Sequence, residues 1–136
     1  MTDNYYNSLI LAEAGKQSGK QYNSVSGQCK EWARMVVQNA TGKNIPATLG
    51  NNYQWQSSSV VRAIWSGYYI CPASFPCIFG DTVKPGQIIQ LRWQSNFMSG
   101  GPHTAIVKSV TPTKMQWYDC NFIKQYYSGY HDFTLA

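Results

Sequence analysis

The sequence predicts an α+β domain, with N-terminal helices packed on an antiparallel β-sheet. Three observations predict it. Cys29, Trp32, Ala33, Val36, Val37 and Ala40 recur at the spacing of one α-helical face. From Lys84 onward the pattern changes to short β-rich runs separated by turn residues. Helical segments come first and strand segments later, an order that argues against alternating βα units.

Each element has its own signal. Leu9, Ile10, Ala12 and Glu13 sit at helical spacing within residues 5–16, so a first helix is expected to end near Gly15. Residues 17–28 are rich in Gly, Ser and Gln and read as a loop. The second helix should run from Cys29 to about Ala40, with Gly42 placed to end it. Residues 41–84 read as an aromatic-rich insertion carrying Tyr53, Trp55, Trp65, Tyr68, Tyr69, Phe75 and Phe79. Most of these rings are expected to pack; a minority would line a groove. Within the insertion, residues 60–65 fit either a short helix or a strand. Pro85 and Gly86 make a turn into a strand over 87–93. After a loop at 96–102, strands are expected over 103–110 and 115–121, joined by a turn at 111–114, with a closing strand over 129–135.

The 136 residues are the size of one ordinary domain. Residues 1–19 would be a helical extension of it. Charged residues make up 12%, about half the usual ~25%, while aromatics reach 15%. The surface must then rest on Ser, Thr, Asn, Gln and Tyr, which suits secreted and carbohydrate-facing proteins. Eleven Lys and Arg against six Asp and Glu give a net charge of +5 and a pI near 9.1. That excess favours anionic partners such as nucleic acid, an anionic membrane surface or a bacterial cell wall. The bases form no run, so nucleic-acid binding is not expected. No stretch approaches the ~20 apolar residues of a membrane span. Residues 1–6 lack the basic and apolar blocks of a secretory leader.

Four cysteines stand at 29, 71, 77 and 120. Cys71 and Cys77 bound a short loop with Pro72 and Pro76 that a disulfide could close, which would point to an oxidising compartment. The other reading is two unpaired cysteines in a cytosolic loop. Cys29 opens a helix, where unpaired N–H groups and the positive dipole end favour a thiolate. Taken alone, Cys29 also reads as a core cysteine that completes the stripe. His103 opens a strand just after Gly100, Gly101 and Pro102. Asp119 and Asn121 close the next strand. The turn at 111–114 makes these strands a hairpin, so the start of one lies beside the end of the other. Alternation puts Trp117, Asp119 and Asn121 on one face and turns Cys120 away. A thiol nucleophile needs a base within hydrogen-bond reach and a third group to orient that base. Cys29, His103 and Asp119 supply those roles. His131, the other histidine, reads as an exposed residue on the closing strand.

These landmarks resemble a known family. Gly27-Gln28-Cys29 followed by Trp32-Ala33, then Lys84-Pro85-Gly86, then Gly101-Pro102-His103-Thr104-Ala105-Ile106-Val107, then Asp119-Cys120-Asn121 are similar to the cysteine, histidine-dependent amidohydrolase/peptidase (CHAP) domain, a papain-like family. The resemblance spans about residues 20–135. Pro102 stands where the family usually has glycine, and Asp119 where it often has glutamate. The resemblance implies a papain-like fold and thiol-dependent hydrolysis of amide bonds in peptidoglycan. It implies catalytic roles for Cys29, His103 and Asp119 or Asn121. The substrate is expected along Tyr22, Gln28, Trp32 and Gly101, with Tyr22 or Asn23 as a second oxyanion donor. No cofactor is implied, and the six scattered acidic residues form no Asp-rich calcium loop. A monomer acting in the periplasm or at the cell wall is expected, as a lysin, a delivered antibacterial toxin or a remodelling enzyme. A toxin would be opposed by an immunity protein blocking the cleft. Two alternatives are a cysteine peptidase acting on proteins and an inactive papain-like module that binds cell wall or carbohydrate.

Overall fold

In a computed structural model the described residues are 3–43, 64–65, 84–91, 103–111, 114–122 and 124–134. Helix α1 is Asp3–Gln17 and helix α2 is Cys29–Thr41. Five strands follow: β1 Ile64–Trp65, β2 Ile88–Leu91, β3 His103–Val110, β4 Lys114–Cys120 and β5 Ser128–Thr134. They form one sheet in chain order. The two-residue β1 pairs parallel with β2, and all the other pairings are antiparallel. The α+β expectation holds.

Helix α2 forms where its apolar stripe and its stop signal agree. Trp32, Ala33, Val36 and Val37 are fully buried. Gly42 ends the helix at φ 72°, and its N–H bonds the Gln38 carbonyl at 2.9 Å. A side chain rarely adopts that left-handed φ, so glycine suits the position. Helix α1 buries Tyr6, Ile10 and Ala14, a stripe at every fourth residue, rather than Leu9 and Ala12. The segment around it is apolar on several sides, so spacing alone did not select the face.

The core lies between the helices and one face of the sheet. Tyr6, Ile10 and Ala14 of α1 join the α2 stripe, Ile88, Ile106 and Cys120 in a single cluster. Helix α1 thus contributes to the same core as α2 and the sheet. Burying side chains of this size stabilises by roughly 1.5–3 kcal/mol each. Alternation sends Trp117, Asp119 and, on β5, His131 to the opposite face. Trp117 and Asp119 are as fully buried there as the helix-side residues.

The β3–β4 hairpin is closed as the turn residues demand. Thr111 N–H donates to the Lys114 carbonyl at 2.8 Å, and Lys114 N–H donates to Thr111 Oγ1 at 3.0 Å. Ile106 pairs with Tyr118 and Val107 with Trp117, so β3 begins where β4 ends. The aromatic segment 53–79 apart from 64–65, the Cys71 and Cys77 pairing, and the loop at 96–102 with Gly101 lie outside the described residues.

Candidate active site

The loop before α2 is built to hold Cys29 still. Asn23 Oδ1 accepts the N–H groups of Val25 at 2.9 Å and Ser26 at 2.8 Å, a local turn fixed by its own side chain. Gly27 N–H then donates to the Asn23 carbonyl at 2.9 Å. A Cβ on Gly27 would stand 2.6 Å from both Asn23 O and Tyr126 Cβ. No larger residue fits without moving the loop.

The same loop is stitched to the β4–β5 connection. Gly19 N–H bonds the Ser128 carbonyl, Ser128 N–H bonds the Lys20 carbonyl, and Tyr22 N–H bonds the Tyr126 carbonyl, at 2.8–3.0 Å. The buried Ser128 hydroxyl donates to the Gln17 carbonyl at 2.6 Å and accepts the Lys20 N–H at 2.9 Å. Gln28 caps α2 through its backbone, with its carbonyl accepting Trp32 N–H at 2.8 Å. No Gln28 side-chain bond caps the helix. Instead its amide donates to the Ser24 carbonyl at 3.2 Å and accepts from Asn121 Nδ2 at 3.4 Å. That last contact brings the start of α2 to the end of β4.

Cys29 is therefore a half-buried thiol at the positive end of α2. Lys30 beside it is buried, and burial pushes its ammonium below the ordinary lysine value. The Cys29 and Glu31 charges act against that shift. Cys120 is the contrasting thiol. It is fully buried on the helix side, and burial followed by the charge of Asp119 pushes it up to about 12. At neutral pH it stays protonated and is a poor nucleophile.

Asp119 has no exposed surface. Its Oδ2 accepts Trp117 Nε1–H at 2.7 Å, and its Oδ1 lies 2.8 Å from His131 Nδ1. His131 is thus not the exposed histidine expected from the sequence; its side chain is only 19% exposed. Its ring also meets Phe122 edge-on at 4.8 Å, and Phe122 meets Trp117 at 5.9 Å. Strand alternation alone could have put His131 on the Trp117 face, but only once the β4–β5 register was known.

The remaining expected residues fall as follows. His103 opens β3 opposite Leu91 of β2, at the sheet end where β4 finishes; its side chain lies outside the described set. Asn121 does not continue the Trp117–Asp119 face. It takes φ 65° and turns the chain, its Oδ1 accepting Tyr126 N–H at 3.1 Å. The Tyr22 N–H donates to the Tyr126 carbonyl, and its hydroxyl sits 2.9 Å from Gln17 Oε1, so both of its donors are engaged within the protein. Trp32 is fully buried in the helix core and packs there instead of lining a surface.

A half-buried thiol at a helix start, beside a sheet end with a histidine backbone and a buried carboxylate two residues inside it, suits thiol-dependent acyl transfer. The profile of the CHAP domain family matches residues 18–121, most of the chain, and the chain belongs to that family. Membership implies, in general terms, a cysteine- and histidine-dependent amidohydrolase or peptidase directed at peptidoglycan. Comparison with curated proteins and with solved structures gives no match. Among the described residues, no helix is long and apolar enough to cross a membrane.

Proposed function

We propose that this chain hydrolyses an amide bond of peptidoglycan, either the muramoyl–L-alanine bond or one within the stem peptide or cross-bridge. Cys29, His103 and Asp119 are the working groups. The observation that carries the reading is Cys29 itself, half-buried at the start of α2, with Gln28 bonded to Asn121, the residue just after β4. In this reading His103 takes the Cys29 proton, and the thiolate attacks the scissile carbonyl carbon. N–H groups of the first turn of α2 stabilise the oxyanion. Collapse expels the amine, which His103 protonates, and leaves a thioester on Cys29. Water, deprotonated by His103, then releases the acid. Asp119 orients the imidazole. It is favoured over Asn121 because its carboxylate is buried and anchored, while the Asn121 amide is engaged with Tyr126 and Gln28. The enzyme would act in the periplasm or at the wall, as a lysin or as an antibacterial toxin answered by a cleft-blocking immunity protein.

The test is alkylation of native protein by iodoacetamide, followed by intact mass and peptide mapping between about pH 5 and 9. The expected result is one fast adduct on Cys29 well below the ordinary thiol value of ~8.5, slowed by His103→Ala. Digestion of purified peptidoglycan then identifies the bond from the new amine. Wall binding with no fast adduct would replace the hydrolase with a binding module.

A further inference from the structure

The mechanism above uses one histidine, yet the other lies against its buried carboxylate. Asp119 stands opposite Gly129 in the β4–β5 ladder, so β5 places no side chain directly across from it. The residue that reaches it is the diagonal neighbour, His131, which itself pairs with Trp117. Trp117 hydrogen-bonds Oδ2, while His131 Nδ1 stands 2.8 Å from Oδ1 as a close pair whose ring is not aligned for a hydrogen bond. Phe122 packs against both rings.

We propose that His131 is a positioning residue that clamps Asp119 from the strand side away from the β3-start and β4-end edge, so that the carboxylate meets His103 with its orientation already set. The inference rests on reading Asp119 as the group that orients His103. A carboxylate turns about a soft terminal torsion with broad minima. One anchor would leave rotation about that contact open; a ring packed 2.8 Å from the other oxygen restricts that rotation. A carboxylate offers about four acceptor positions, so the Trp117 bond leaves room for another donor. His131 and Trp117 both lie farther along the strands than Asp119, measured from the end where β4 meets Gln28. A fully buried carboxylate also needs its partners to remain in place, since unmatched burial of a charge is costly.

The experiment compares His131→Asn with His131→Gln in the full chain. The asparagine amide can stand where Nδ1 stands; the glutamine amide is displaced by one methylene. Both are polar and suit a mostly buried site. Near-UV circular dichroism and thermal melts confirm folding, and rates are read at a temperature where both variants are native. Two readouts are taken: kcat and KM on purified peptidoglycan, and the iodoacetamide rate of Cys29 at neutral pH. His131→Gln is expected to lose ~10-fold in kcat with KM unchanged and to slow alkylation, while His131→Asn stays within ~3-fold of the parent. Equal rates for parent and His131→Gln, or equal losses in both variants, overturn the clamp. Asp119→Asn separates the two levels of inference. If it leaves both readouts unchanged, the reading of Asp119 itself fails. If it slows them and His131→Gln does not, only the clamp fails.

Discussion

Cys29 and Cys120 sit in opposite surroundings near one end of the sheet. Cys29 is partly open at the positive end of a helix, whereas Cys120 is sealed in the core next to the charge of Asp119. The raised Cys120 value has a stability consequence with a definite sign. Its thiol is protonated in both states below about 9, the ordinary value, so its full contribution is present there. Between about 9 and about 12 only the unfolded chain gives up the proton, and stability falls as pH rises. The slope from this one group is at most ~1.4 kcal/mol per pH unit. Lys30 acts in the opposite sense, because a lowered ammonium favours folding as pH rises toward its ordinary value of 10.5. Melting temperatures of the parent and Cys120→Ala across this alkaline range should converge as pH rises, because only the parent carries the Cys120 loss. Parallel curves would mean that Cys120 is not held protonated by the fold.

At the scale of elements, two glycines separate a stability role from a site role. Gly42 has open space around it but a left-handed φ, so Gly42→Ala should cost ~1 kcal/mol and leave Cys29 alkylation unchanged. Gly27 is crowded by the Asn23 backbone and Tyr126. Gly27→Ala must displace the loop that presents the thiol, so it should cost ~1–3 kcal/mol and also slow alkylation. Denaturant midpoints and the iodoacetamide rate measure the two effects. Helix α2, the β3–β4 hairpin and the meeting of the His103 and Asp119 strands were legible in the sequence. A strong stripe, a glycine stop and a short turn encode them locally. The role of His131 was not legible, because it depends on a register set through the connection at 121–128. In that connection Asn121 and Tyr126 both take positive φ, at 65° and 57°. Asn121 leaves the Trp117–Asp119 face for the same reason: alternation holds only while a strand continues, and β4 stops one residue before it. Trp32 shows a different limit, since an aromatic at a stripe position next to a candidate nucleophile reads equally well as core or as surface.

At the scale of the whole molecule, the charge of +5 is spread without a run and carried by a chain with few charges of either sign. Such a field attracts an anionic polymer at long range but fixes no particular contact. Cleavage of intact walls should therefore slow as salt rises from ~0.01 M to ~0.5 M, where the screening length shrinks to a few ångströms. Turnover of a small neutral peptide amide should not change. A salt-independent rate on walls would remove electrostatic capture from the proposed function.

The stitching of residues 19–22 to 126–128 has a further meaning, one of timing. The hydrogen bonds of Lys20 with Ser128 and of Gln21 with Gln125 span 108 and 104 residues of chain. Contacts this distant are the last to become available as a chain is made and among the slower to close. The Asn23 turn can form locally, but the long-range bonds that hold residues 19–22 wait for β5. Within this domain the Cys29 segment is therefore made well before the strand its preceding loop is bonded to, and the setting of that thiol is completed only when β5 has docked.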